Sequence, residues 1–522
     1  MHEVETVLVS LLVAVAVFAV VARAVNVPYP IVLVIGGLIM GFIPGLPDVE
    51  LEPDLVLVIF LPPLLYSAAF FANLRALKAD LRSISLLAVV LVLATMCVVA
   101  VVAHAMIDGL PWGAAFALGA IVAPTDPVAA TTVARRLRVP RRIVNILEGE
   151  SLVNDGTALV AYRVAVAATV GGSFSLLDAG IEFVAGAVGG IAIGLAVGWV
   201  ISEFRRKIND VPVEITISLL SGYAGYLPAE AVGASGVLAA VTTGIVLGWR
   251  APRISTASMR LQGYSMWEIL VFLLNALLFV LIGLQLPLIL DELSGEPVGT
   301  LLVQAAAVSL AVILTRIAWS FTMPYVIRAL DRRQSQVARR VGWRPRMISA
   351  WSGMRGSVSL AAALALPAGF PQRALLQFLT FSVIFATLVL QGLTLPALIR
   401  RLGVTDDGEE EREELVGRRA ATEAALARLD ELAAEEWTRD ETAERMRAMY
   451  RYRADRLAAR AGETEDGDGY EHRSRKYQKM VRSVLEAQHD AIVDLRNRGV
   501  ISNEVMHRIE RELDLEDERL EI

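Results

Sequence analysis

A chain of 522 residues that is 55% hydrophobic, with mean hydropathy +0.54, cannot cover itself with a solvated surface. That excludes an ordinary soluble protein and predicts an all-α polytopic membrane protein. Charge is divided unevenly: residues up to Val404 carry 28 Lys and Arg against 23 Asp and Glu, whereas Thr405 onward carries 21 against 32. A basic-rimmed membrane domain, 1–404, is therefore expected to precede an acidic helical tail, 405–522. The single cysteine, Cys97, excludes an intrachain disulfide and reads as a small apolar filler.

Acidic Glu3 and Glu5 precede the first apolar run, unlike the basic start of a cleaved secretory signal, so the first segment is expected to remain as a helix. At about 20 apolar residues per span, the runs divide into 13 candidates: 5–22, 29–45, 54–72, 84–106, 112–134, 143–169, 181–201, 213–228, 234–249, 266–289, 300–327, 346–367 and 375–399. Arginine and lysine gather on alternate loops, at Arg23, Arg75–Arg82, Arg135–Arg142, Arg205–Lys207, Arg250–Arg260, Arg328–Arg346 and Arg400–Arg401. The opposite loops hold Asp48, Glu50, Glu52, Asp108, Asp178, Glu230, Asp291, Glu292 and Glu296, with Arg373 their only base. The positive-inside rule then puts the N-terminus outside and the C-terminal tail in the cytoplasm of a cell-membrane protein, which requires an odd number of spans.

Two six-helix halves joined by one linking helix are inserted in opposite orientations, the plan of inverted-repeat transporters whose ion site lies on interrupted helices near the midplane. The fifth and twelfth spans are then counterparts. The fifth contains Ala123-Pro124-Thr125-Asp126-Pro127, where two prolines remove two backbone donors. The twelfth contains Ser352-Gly353-Met354-Arg355-Gly356-Ser357, a glycine-flanked arginine. Both are expected to be broken. Beyond them, 409–460, 476–498 and 501–515 read as tail helices, with a break at Gly462–Gly469; nothing there suits a nucleotide or nucleic acid, so partner contact or self-association is expected.

The sixth span carries the chemistry. A carboxylate at the centre of a membrane helix costs roughly 2.5–3.5 kcal/mol on insertion scales and marks an ion path, a proton relay or a buried pair. Glu150 and Asn154, and Ser151 and Asp155, are each four residues apart and so share helix faces. A bare monovalent cation wants several oxygen ligands, by analogy with harder ions, and Asp155, Asp126, Thr125 and Ser151 can supply them. The same Asp155 carboxylate can carry a proton instead. Glu150 and Arg355 read as a buried structural pair joining the halves, and Glu148 as a rim salt bridge. Arg163 reads either as a neutraliser near Asp155 or as the partner of another acid. His104 reads as solvated, and Asn275 and Gln285 as inter-helix hydrogen bonders.

Phe60-Leu-Pro-Pro-Leu-Leu-Tyr66, Thr125-Asp-Pro-Val-Ala129, Gly149-Glu-Ser-Leu-Val-Asn-Asp155 and Gly353-Met-Arg-Gly356 stand in register, and the chain from about Thr6 to Leu402 resembles the monovalent cation:proton antiporter-1 family. The resemblance implies a homodimer, with scaffold spans at about 5–72 and 181–289 and a moving core at about 84–169 and 300–399. It also implies that the crossed, interrupted helices hold the ion site. There Asp155 would bind cation or proton, Asp126 and Thr125 would line the site, and Glu150 and Arg355 would pair. Many members have an acid where Ser67 stands. Cargo, not cofactor, is then Na+ (or Li+ or K+) and H+. Because Asn154 replaces a second aspartate of electrogenic relatives, one-for-one electroneutral exchange is expected. A potassium/proton antiporter is the alternative. An intramembrane aspartyl protease is the remote one, since Gly-any-Gly-Asp is absent around both aspartates.

Overall fold

The computed structural model describes residues 2–43, 53–171, 176–208, 210–330, 341–406, 408–461 and 467–521. These are helical throughout, with no strand among them. Asp48, Glu50, Glu52, most of the 328–346 loop and much of the 462–469 break lie outside the described residues.

Each apolar run is helical, because backbone groups in lipid must be satisfied within their own segment. The helices of the first unit are α1 (His2–Val25), α2 (Tyr29–Gly41), α3 (Pro53–Phe70), α4 (Leu74–Ala79), α5 (Leu81–Met106), α6 (Trp112–Val122), α7 (Val128–Arg136), α8 (Arg141–Gly171), α9 (Leu176–Arg205) and α10 (Val211–Ala231). They continue as α11 (Gly236–Ile254), α12 (Ala257–Glu292), α13 (Val298–Leu330), α14 (Trp343–Trp351), α15 (Ser357–Leu364) and α16 (Arg373–Leu402). Five, namely α5, the Gly180–Arg205 part of α9, α12, the Val298–Arg328 part of α13, and α16, are long and apolar enough to cross a membrane by length and composition. The short, closely spaced eighth and ninth runs are the separate helices α10 and α11.

Both expected breaks are present. Between α6 and α7 the chain is unwound at residues 123–127, and between α14 and α15 at 352–356. The two breaks lie against each other, with the Asp126 N–H donating to the Met354 carbonyl at 2.8 Å. Beneath them Ala130, Val133, Ile348, Met354, Leu360 and Ile384 share one apolar cluster, so the irregular backbone is buried in protein, where it is tolerated.

The chain divides into two compact units, Met1–Asp406 and Asp407–Ile522. In the second, the stretch 409–460 is not one helix but two, α17 (Glu409–Ala433) and α18 (Asp440–Arg460). They pack together with Leu429 and Ala443 buried and Arg447 paired to Asp430 at 2.7 Å. A single solvated rod could bury neither side chain, so tertiary packing overrides an uninterrupted helical composition. Then α19 (Gly467–Asn497) ends before Gly499, at φ +70°, and α20 (Asn503–Glu521) packs on it.

Candidate functional site: two carboxylates in a cavity at the broken helices

Interrupting a helix leaves carbonyls without partners at one end and N–H groups at the other. Three of the four ends here are met by a side chain. Where α6 stops, Arg355 Nε donates to the Val122 carbonyl at 3.0 Å, and its Nη1 donates to the Gly353 carbonyl. At the end of α14, Arg316 Nε and Nη2 both donate to the Ser349 carbonyl at 3.3 Å. Cations belong at helix C-termini, where the peptide dipoles sum to partial negative charge. At the opposite polarity, Asp126 Oδ1 accepts from the Val128 N–H at 2.9 Å, opening α7.

Glycines at 353 and 356 make this approach possible. A Cβ at 356 would lie 2.6 Å from Cγ of Asp126, and one at 353 would lie 2.5 Å from Nε of Arg316. Only a residue without a side chain lets these groups reach the second break.

The expected Glu150–Arg355 ion pair is corrected by this geometry. Glu150 is gripped through both oxygens by Arg316, with Nη2 to Oε2 at 2.8 Å and Nη1 to Oε1. Arg355 is committed to helix-end carbonyls, and its own N–H is held by Thr387 Oγ1 at 3.1 Å. Two buried arginines, 316 and 355, lie at the breaks, and the space at Gly353 decides which one reaches the acid. Arg316 is the residue that sequence reasoning missed; its signal was a lone arginine inside the apolar run 300–327.

The remaining site residues build outward from Glu150. Thr125 Oγ1 donates to Glu150 Oε1 at 3.1 Å, and Asn154 Nδ2 donates to Thr125 Oγ1 at 3.0 Å. Glu150, Asn154, Asp155 and Thr125 are all buried, and Asn154 Oδ1 has no hydrogen-bond partner. Asp155, Asp126, Thr125 and Ser151 line a cavity of about 650 Å³, together with Ser67 and Ser359. Among the described residues neither Asp126 nor Asp155 has an ion-pair partner, whereas Glu150 is fully compensated. Two carboxylates facing one cavity, whose one lining base, Arg135, is paired to Glu148, suit a cation or protons. Ser67, where many relatives have an acid, spends its hydroxyl on the Leu64 carbonyl at 2.9 Å.

Arg135 and Glu148 also line this cavity and pair at 2.6 Å, so Glu148 is a rim salt bridge, made with Arg135. The partner of Arg163 is Glu230. His104 is exposed, in line with a solvated histidine, while its Nδ1 bonds the Leu110 carbonyl at 2.7 Å and the ring stacks on Trp112. Asn275 Nδ2 donates within its own helix, to Val271 O at 2.9 Å, where an inter-helix bond was expected. Gln285 is buried. Nothing in the sequence reading singled out the buried pair Arg205 and Glu214, 3.8 Å apart.

An apolar all-helical chain in which a carboxylate at a helix break and another on the adjoining helix α8 line one cavity defines a membrane carrier of ions. The sodium/hydrogen exchanger family model, described as transmembrane, matches residues 8–401, and the chain belongs to that family of secondary transporters, which are not enzymes. It is 35% identical to an uncharacterized Na+/H+ exchanger of Mycobacterium bovis, over 98% of this chain and 96% of that one. It is 34% identical to the Na+/H+ antiporter ApNhaP of Aphanothece halophytica, over 78% and 76%. A Bacillus pumilus sodium, potassium, lithium and rubidium/H+ antiporter is 33% identical over 71% of this chain and 58% of its own length. The fold is similar to that of the sodium proton antiporter MjNhaP1 of Methanocaldococcus jannaschii, with TM-score 0.60 and 21% identity over 77% of this chain and 99% of that chain. The chain is thus a multi-pass cation/proton antiporter of the sodium/hydrogen exchanger family.

Proposed function

We propose that the chain exchanges one sodium ion for one proton, electroneutrally, by alternating access, with Asp155 as the exchanging carboxylate. The observation that carries this reading is the contrast on one helix between Glu150, neutralised by Arg316, and Asp155, which lines the cavity and has no ion-pair partner among the described residues. Sodium would take oxygens from Asp155, Asp126, Ser151 and the Thr125 carbonyl, since the Thr125 hydroxyl is already spent on Glu150 and Asn154. A proton on Asp155 then competes with the ion, and each excludes the other. One carboxylate moving one positive charge in each direction leaves no net charge moved.

The wider frame belongs to the same reading. About 13 spans form two inverted six-helix repeats with a linking helix, the N-terminus is outside, and the protein is a homodimer in the cell membrane. The scaffold and core are those of the family plan, and the acidic tail, 405–522, docks on the arginine-rich loops and regulates exchange. The cavity is lined by Arg135, from one of those loops, and by Tyr264 and Glu268, close to Arg260 in another, which supports a cytoplasm-facing state.

Potassium is the second reading, favoured by the likeness to the Bacillus pumilus sodium, potassium, lithium and rubidium/H+ antiporter. Proteoliposomes loaded with a pH-sensitive dye and challenged in turn with sodium, lithium and potassium distinguish the two. Sodium-driven alkalinisation exceeding that with potassium supports the proposal; a potassium response of equal or greater size replaces it.

A further inference from the structure

We propose that the first unit carries a binding site for an anionic phospholipid headgroup in a groove between the start of α4 and the end of α11. The groove has a volume of about 580 Å³ and is lined by Asn73, Arg75, Trp249, Arg250 and Arg253, with no carboxylate among its residues. Arg250 is half-buried and anchored, its Nη1 donating to Ser202 Oγ on α9 at 2.6 Å. Arg75 and Arg253 are exposed, and neither has an ion-pair partner among the described residues. Three guanidinium groups around one concavity repel each other unless an anion lies between them. Arginine's planar fork suits a phosphodiester, taking two oxygens at once.

The position selects a lipid over a dissolved anion. Arg75 and Arg253 belong to the arginine-bearing loops, and Trp249, 64% exposed, stands at the end of an apolar helix where indoles lie at headgroup level. Basic grooves of this kind between membrane helices bind anionic headgroups, and Lys or Arg near an anionic surface contributes about a fivefold affinity factor per charge. The groove also touches the 73–75 turn that joins α3 to α5, so an occupant would brace that connection.

The test is a lipid titration of the purified full chain in detergent, read by native mass spectrometry, with dioleoyl phosphatidylglycerol as the probe. Arg75→Gln/Arg253→Gln should lower the affinity of the tightest phosphatidylglycerol about 25-fold, two charges at the factor above. Arg75→Lys/Arg253→Lys, which keeps both charges and loses the planar forks, should fall between the parent and the glutamine variant. Phosphatidylcholine should bind far more weakly, and millimolar inorganic phosphate should not displace the lipid. On the unaltered chain, raising salt from about 0.1 to 1 M should weaken retention. Undiminished retention in the glutamine variant, salt-independent retention, or equal binding of phosphatidylcholine would overturn the proposal. Displacement by inorganic phosphate would overturn it too, making the groove a site for dissolved anions.

Discussion

Glu150 and Asp155 are five residues apart on α8, and their surroundings differ in kind. Glu150 receives two guanidinium donors and the Thr125 hydroxyl, so its charge is spent on holding α8 to α13 and to the first break. Asp155 lines the cavity. Replacing Asp155 with Asn should therefore abolish cation-dependent proton flux while leaving a folded protein; measurable exchange in proteoliposomes of that variant refutes its assignment. For Glu150 the expectation is reversed, toward stability. Removing one partner of a buried pair strands the other charge at about 3–5 kcal/mol, whereas replacing both with apolar residues is far milder. Glu150→Gln and Arg316→Met should each lower the thermal midpoint in detergent more than the two together. Additive losses in that cycle would show that the pair contributes no coupling.

At the scale of elements, the two broken helices support each other, since each supplies what the other's interruption lacks. Arg355 from the second break satisfies the last carbonyl of α6, and Asp126 from the first fits against Gly356. Gly356→Ala would push a methyl into the Asp126 carboxyl. Overpacking of this kind costs about 1–3 kcal/mol, and expressed as ion affinity that is a loss of about five- to hundredfold. Sodium dependence of exchange, compared between the variant and the parent, measures it; an unchanged half-saturating concentration would mean that Asp126 contributes nothing to ion binding. In the tail, α19 and α20 are joined at Glu510, which contacts His507 Nδ1 at 2.9 Å and His489 Nε2 at 3.3 Å. The hydrogen bond from His507, with both histidine charges behind it, holds the Glu510 carboxyl below the usual carboxylate range. A depressed folded-state value gives stability that is present above the ordinary carboxylate pKa, about 4.3, and lost as pH falls through the lowered value. Protection factors of the 503–521 amides in the full chain, corrected for the intrinsic exchange rate at each pH, should accordingly fall on acidification through that window, and in Glu510→Gln they should lose that dependence.

For the whole molecule, the decisive quantity is net charge per cycle. In the proposed mechanism Glu150 stays locked to Arg316 and only Asp155 exchanges cation for proton, so no net charge moves. Clamping the membrane potential with valinomycin and potassium should then leave the initial rate of sodium-driven proton movement unchanged, once potassium has proved a poor substrate. A rate that follows the imposed voltage would mean a second titrating acid, with Asp126 the first to test. Deleting Thr405–Ile522 should preserve exchange, because no site residue lies there, and should shift its pH dependence. An identical pH profile would reduce the tail to assembly or stability.

Much of this was legible in the chain. Hydropathy sets where helices must lie, because no other backbone form survives in lipid, and the prolines and glycines of 123–127 and 352–356 broke those helices where the chemistry of proline and glycine requires. Asp126, Asn154 and Asp155 were readable because an ionisable or polar residue at membrane depth has few uses. Pairings were not readable. A buried acid needs a base, but hydropathy and spacing say nothing about which of two arginines, 316 or 355, comes within reach. That was decided by the missing side chain at Gly353 and by helix-end carbonyls that claimed Arg355 first. The same holds for Arg163 with Glu230 and for the fold-back of α17 on α18. Local sequence determines which groups must be neutralised or buried, while only three-dimensional packing determines by what, since those partners lie up to 233 residues apart along the chain.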